Sequence, residues 1–217
     1  MKTLTPATVD QVTSTNNKFT NTSTSDFALH HKYLLAICRQ CLQRCTATQN
    51  DCSLSELIKP REKLDSVLYC YRACFVTLQK KNKLRGCIGS LQASRPLIED
   101  LIHNTCAAAL HDNRFDAVQH QEITQIDIHI SILTEPVKMN YYSEQDLLKQ
   151  LKQGVDGLIL SEGSNRATYL PTVWQQHPNK LKFIQQLKLK AGLPIDYWSD
   201  TIECKNYQCE NIRDNIN

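Results

Sequence analysis

The sequence predicts an α+β domain built from two similar halves, and three observations carry that prediction. Strand-like segments are followed by helical ones twice, in the same order. Ile126, Ile128, Ile130 and Ile132 alternate with Asp127, His129 and Ser131, the period of a half-buried strand. From Pro96 to about His111, Leu97, Ile98, Leu101, Ile102, Thr105, Ala108 and Ala109 recur at helical spacing, with proline in the first turn.

The remaining elements follow in chain order. Residues 1–25 are rich in Thr, Ser and Asn and read as a disordered polar tail, leaving 26–217 as one domain. Asp26 is placed to cap a helix reaching about Cys45, with Phe27, Leu34, Leu35, Cys38, Cys41, Leu42 and Cys45 on its apolar face. A loop passes through Asn50-Asp51, and Lys59-Pro60 marks a break. Tyr69–Leu78 has strand-like density of aromatic and β-branched residues, and a turn at Lys80–Lys83 leads into a second strand, Leu84–Leu91. Ser143 starts a short helix to Leu151. Gly154–Gly157 is a turn, and Leu158–Leu160 and Ala167–Leu170 form a hairpin across Ser161–Asn165. Pro171 opens a helical stretch to His177. A helix from Asn179 to Ala191 stops at Gly192 and Pro194. One last strand is expected over Thr201–Cys209.

Composition excludes several classes. The 217 residues are 41% hydrophobic and 22% charged, ordinary for a globular domain with a sizeable core. A net charge of +3 is too small to argue for nucleic acid or an anionic membrane. Met1-Lys2-Thr3-Leu4-Thr5-Pro6 leads into polar residues without the apolar core of a secretory signal, and no segment is apolar enough to span a bilayer. The ten cysteines are therefore expected as reduced thiols of a cytoplasmic protein. No glycine-rich phosphate loop, dinucleotide fingerprint or serine-hydrolase elbow occurs, and no cofactor is expected. Cys38-x-x-Cys41 and Cys45 share a helical face among apolar residues, and Cys52 follows. They read as core thiols, since metal sites place such pairs in turns and need a second pair.

The strongest chemical signal is Arg85-Gly86-Cys87-Ile88-Gly89-Ser90. A thiolate at Cys87 would be favoured by Arg85, two residues away and on the same strand face. The competing reading is a small cysteine filling space where two glycines let the strand bend. His111 is a candidate base at a helix end, although neighbouring Asp112 faces elsewhere on a helix. Arg166 and Thr168 share one face of a strand and present a cation and a hydroxyl to an anionic group; an exposed β pair is the alternative.

Leu84–Gly89 resembles the signature of the AMMECR-one domain family. Ala109–Phe115, Gly154–Leu160, Arg166–Trp174 and Lys190–Pro194 with Trp198 resemble its further blocks in the family's order, the last being typical of its prokaryotic branch, the AmmeMemoRadiSam system A proteins. The resemblance implies a single domain with a curved, barrel-like, mainly antiparallel sheet, flanking helices and two related halves. It implies a pathway shared with a Memo-family protein and a radical S-adenosylmethionine protein, but no settled reaction. The three-cysteine radical motif is itself absent here. It adds Gly86, Gly89, Asp112 and Arg114 to the candidate binding residues. Asp116-Ala117 stands where the family usually has proline after Phe, leaving that turn less rigid. Two functions remain open: an enzyme using Cys87 and His111 on an anionic substrate held by Arg85, Arg166 and their neighbours, or a non-enzymatic component that presents this surface to a partner.

Overall fold

The computed structural model describes residues 24–58 and 64–214. The tail expected over residues 1–25 falls almost wholly outside them, as does the break expected at Lys59-Pro60. A 3₁₀ turn, Thr24–His30, leads into α1 (His31–Thr48), so the first helix starts later and ends later than its pattern predicted. Then come α2 (Leu54–Leu57), β1 (Cys74–Lys80), β2 (Lys83–Gly89), α3 (Leu97–Leu110), β3 (Ile126–Leu133) and β4 (Val137–Lys138). The chain continues through α4 (Glu144–Gln150), β5 (Gly157–Glu162), β6 (Asn165–Tyr169), α5 (Lys180–Lys190), β7 (Glu203–Tyr207) and β8 (Cys209–Arg213).

The strands form two open antiparallel sheets, ordered β2-β1-β3-β8 and β4-β7-β5-β6. The α+β class and its antiparallel character are as the sequence predicts, with the strands divided between two sheets rather than closed into a barrel. The order shows how the halves are related. Residues 74–138 run β1-β2-α3-β3-β4, and residues 157–213 run β5-β6-α5-β7-β8. Each unit makes a three-stranded sheet of its own and gives its last strand to the other: β8 pairs with β3, and β4 with β7.

The exchange creates a seam. Leu133 pairs with Cys209, Thr134 N donates to Gln208 O at 2.9 Å, Gln208 N donates to Thr134 Oγ1 at 2.8 Å, and Val137 pairs with Asn206. One two-stranded ribbon therefore passes from sheet to sheet. This is why the single strand predicted over Thr201–Cys209 is two, broken at Gln208. The strand predicted from Tyr69 likewise begins only at Cys74, because the chain before it docks on α3. Leu97 N donates to Cys70 O at 2.9 Å, and Tyr71 bridges to Pro96.

Each sheet has its own core. Val76, Leu78, Ile128 and Ile130 pack beneath α1 and α3, where the predicted apolar stripes meet. Leu158 and Leu160 pack with Phe183, Ile184 and Leu187 of α5. Trp174 stacks on Phe183 at 3.7 Å and donates its Nε1–H to Asp156 O at 2.7 Å, tying the Gly154–Gly157 turn to the segment after β6. A small third cluster, Ala73, Leu133, Ile159 and Tyr207, joins the sheets. Each fully buried aliphatic side chain contributes roughly 1.5–3 kcal/mol.

The hairpin β1–β2 turns on Lys81 and Asn82, both with positive φ (52° and 59°), the geometry that matches strand twist. Beyond it, β2 lies unusually close to α3. A methyl group on Gly86 would stand 2.1 Å from the backbone oxygen of Ala108. On Gly89 it would meet the Phe75 ring at 2.3 Å and Cys74 O at 2.6 Å. Backbone cannot yield as a flexible side chain can. Gly86→Ala is therefore expected to lower stability by about 3 kcal/mol, read as a shift in the urea midpoint.

Candidate functional site

β2 is an edge strand, and its outer backbone groups need partners. The segment after α3 supplies them with side chains. Cys87 N donates to Asp112 Oδ2 at 2.8 Å, and Arg114 Nη2 donates to Cys87 O at 3.1 Å. Arg114 also grips Asp112, Nε to Oδ1 at 2.9 Å and Nη2 to Oδ2 at 2.6 Å. Asp112 and Arg114 together thus imitate a neighbouring strand over one residue. Asp112 is buried and its carboxyl is held well below the usual carboxylate range, first by Arg114 and then by the amides of Cys87 and Arg114, against the effect of burial.

Arg85 does not join Cys87, contrary to the sequence expectation. Leu78 pairs with Gly86 and Gln79 with Leu84, so Arg85 is the extra residue of a β-bulge. The bulge re-aims its side chain. Arg85 Nη2 donates to Glu122 Oε1 at 2.7 Å, and its guanidinium also holds Asp116 O at 2.8 Å and Ala117 O at 3.3 Å. It thereby fastens the very turn that lacks the family's proline. The cation beside Cys87 is Arg114 instead, whose Nη2 donates to the Cys87 carbonyl.

The half-buried Cys87 side chain lies on the sheet face opposite α1 and α3. Thr77 Oγ1 is 3.2 Å from its Sγ. The register continues the row across the sheet, Cys87–Thr77–His129–Arg213. Burial, then Arg213, push the His129 imidazole down, against the pull of Asp127, so it is neutral at pH 7. Sequence reasoning placed His129 opposite the isoleucine stripe without connecting it to Cys87, because pairing across three strands is not visible in one segment. His111 turns the other way: its Nε2 is 2.8 Å from Asp51 Oδ1, in an exposed pair.

Arg166 and Thr168 lie on the second sheet, at the edge strand β6. Thr168 Oγ1 donates to Leu158 O at 3.0 Å and meets Tyr207 OH at 3.0 Å. Arg166 is exposed and has no hydrogen-bond or ion-pair partner among the described residues. It borders a cleft of about 320 Å³ between the halves, where Ala73, Leu133 and Ile159 form a buried apolar floor. Arg72, Arg166 and Lys205 stand around that floor against the one carboxylate of Glu135. Ser90, Leu91 and Gln92, just beyond the signature, form with Arg166 the wall of an adjoining depression. The structure thus makes two groups: Arg85, Gly86, Cys87, Gly89, Asp112 and Arg114 around β2, and Arg166 at the cleft with Thr168 in the adjoining depression, with His111 belonging to neither. Lys205 and Arg72 had no motif to reveal them; Lys205 comes beside Arg166 through β5, and Arg72 from the first half across the cleft.

A two-unit antiparallel α+β domain with an Asp–Arg pair covering one strand edge defines a distinct structural class. The chain belongs to the AMMECR1 family, which it matches over residues 35–212. It is 37% identical over 151 residues to a protein of Methanothermobacter thermautotrophicus, spanning 67% of this chain and 77% of that one. It is 38% identical over 151 residues to a protein of Methanococcus aeolicus, spanning 68% and 76%. The crystal structure of an uncharacterized protein from Pyrococcus horikoshii is similar, with a TM-score of 0.73 at 27% identity, covering 83% of this chain and 89% of that one. Among the described residues no helix is long and apolar enough to cross a membrane.

Burial pushes the Glu122 carboxyl up, but Arg85, Lys80 and the Gln119 amide outweigh it and hold it at about 2, against an ordinary 4.5. A depressed carboxylate contributes stability above its unfolded value and loses it as pH falls through its folded one. Stability is expected to fall between pH 4.5 and 2. Glu122→Gln should flatten that limb in denaturation midpoints measured against pH.

Proposed function

We propose that this AMMECR1 protein is a binding component, and that the cleft between its halves receives an anionic small molecule with an apolar body. The anionic head meets Arg166 and Lys205, and the body covers Ala73, Leu133 and Ile159. One observation carries the proposal: Arg166 is unpartnered above an apolar floor, whereas the polar groups of the signature are committed to the fold. A charge-assisted contact with a guanidinium has the strength and planarity to fix a carboxylate or phosphate. The motif resemblance adds the context of a cytoplasmic pathway shared with a Memo-family protein and a radical S-adenosylmethionine protein.

A second reading, an enzyme, is favoured by the row Cys87–Thr77–His129. There the Cys87 thiol lies 3.2 Å from the hydroxyl of Thr77, whose cross-strand neighbour on β3 is His129. In that reading Cys87 is the nucleophile, and the guanidinium bound at its carbonyl is that of Arg114 rather than Arg85.

Titration calorimetry with phenylacetate and with inorganic phosphate separates these readings. The binding proposal expects phenylacetate to bind more tightly than phosphate, and Arg166→Ala to weaken it about tenfold, the loss of roughly 1.4 kcal/mol. Cys87→Ala should leave the affinity unchanged. Equal binding by Arg166→Ala and the parent protein would contradict it.

A further inference from the structure

A second site lies on the far side of α3 from the cleft, where three chain segments bring sulfur to one point. Cys41 comes from α1, Cys52 from the loop before α2 and Cys106 from α3. Their Sγ atoms are 3.2 Å (Cys41–Cys52), 3.4 Å (Cys41–Cys106) and 3.5 Å (Cys52–Cys106) apart. These thiols are free, and the separations are far longer than a disulfide's roughly 2.05 Å. A core that needs only small apolar side chains has no reason to gather three sulfurs in mutual contact.

We propose that Cys41, Cys52 and Cys106 form a binding site for a thiophilic d10 metal ion, with zinc(II) as its natural charge and size. Zinc–thiolate bonds of about 2.3 Å in a tetrahedral arrangement set sulfurs about 3.8 Å apart. Each pair here needs to open by only a few tenths of an ångström. Carboxylate-loving ions such as magnesium and calcium do not suit an all-sulfur set.

Two further features support the site. Cys52 N donates to Cys106 Sγ at 3.4 Å, the kind of amide–sulfur bond that steadies a metal-bound thiolate. An entry path exists: Cys52 and Cys106 line a surface cavity of about 700 Å³ together with Asp51 and His103. Binding replaces each ligand's S–H bond by a metal–sulfur bond and releases the proton to solvent, with no change of oxidation state.

Cys38, the first cysteine of the C-x-x-C spacing, is not part of the cluster. It is buried against Thr105 instead. From the sequence, Cys38, Cys41 and Cys45 read as core thiols, whereas Cys41 meets sulfurs that come from two other segments. A metal here would staple α1, the 50s loop and α3 behind β2, a structural role apart from any ligand of the cleft.

The test uses the untagged full-length chain, reduced and purified under nitrogen. Zinc added to the metal-free protein, followed by desalting, is expected to leave about one equivalent bound, and Cys52→Ser at the solvent-facing rim should weaken binding by tenfold or more. Cys209→Ser, outside the cluster, should retain the parent's zinc. Cobalt(II) should give thiolate-to-metal charge-transfer absorption and tetrahedral d–d bands, both lost in Cys106→Ser. Less than a tenth of an equivalent of zinc, no cobalt charge-transfer band, or equal retention by Cys52→Ser would each overturn the proposal. Far-ultraviolet circular dichroism of the variants separates loss of ligand from loss of fold.

Discussion

The closeness of β2 to α3 is the constraint on which the rest depends. It exists only because residue 86 has no side chain: Ala108 O occupies the space a Cβ would need. Once the strand is that close, the residues just past α3 reach its outer edge. Asp112 takes the amide of Cys87 and Arg114 its carbonyl. The bulge at Arg85 sends a second arginine down to Glu122, fixing the loop that carries Asp112 and Arg114. The signature around Cys87 is therefore a structural joint first. Its glycines, its bulged arginine and its clipped backbone each solve a problem of strand–helix packing and edge protection.

The second constraint is the exchange of last strands. Because β4 and β8 cross to the opposite sheet, neither half completes its sheet alone. The ribbon through Thr134 and Gln208 then holds the sheets at a fixed angle, and the cleft lined by Arg166 and Lys205 is the space left beside it. The two constraints act in different places. One secures the edge of the first sheet, and the other shapes the cleft that Arg166 and Lys205 border.

Local patterns were legible where one segment decides its own structure. The isoleucine alternation gave β3, the Pro96 stripe gave α3, and the Ser143 and Asn179 caps gave α4 and α5, each cap accepting the amide expected of it. The motif resemblance leads to the expectation that Asp112–Phe115 and Arg166–Thr168 gather near Cys87; Asp112 and Arg114 do, whereas Arg166 and Thr168 stand on the second sheet. What was not legible depends on pairing between distant segments. The bulge that turns Arg85 away from Cys87 requires the register with β1. The break at Gln208 requires the seam. His129 joins Cys87 only through Thr77, and Lys205 joins Arg166 only through β5. The thiol cluster was missed for the same reason: within α1 the cysteines read as core thiols, while Cys52 and Cys106 arrive beside Cys41 from other elements.

The central claim is that the signature cysteine is held at its backbone by Asp112 in service of the fold. Amide hydrogen exchange at Cys87, read by nuclear magnetic resonance, tests it most directly. That amide points off the edge of the sheet, and Asp112 is its partner. The account predicts exchange as slow, within about tenfold, as that of interior amides of β1, and fast exchange in Asp112→Ala with β1 still protected. Exchange at the rate of an open strand edge in the parent protein would contradict it.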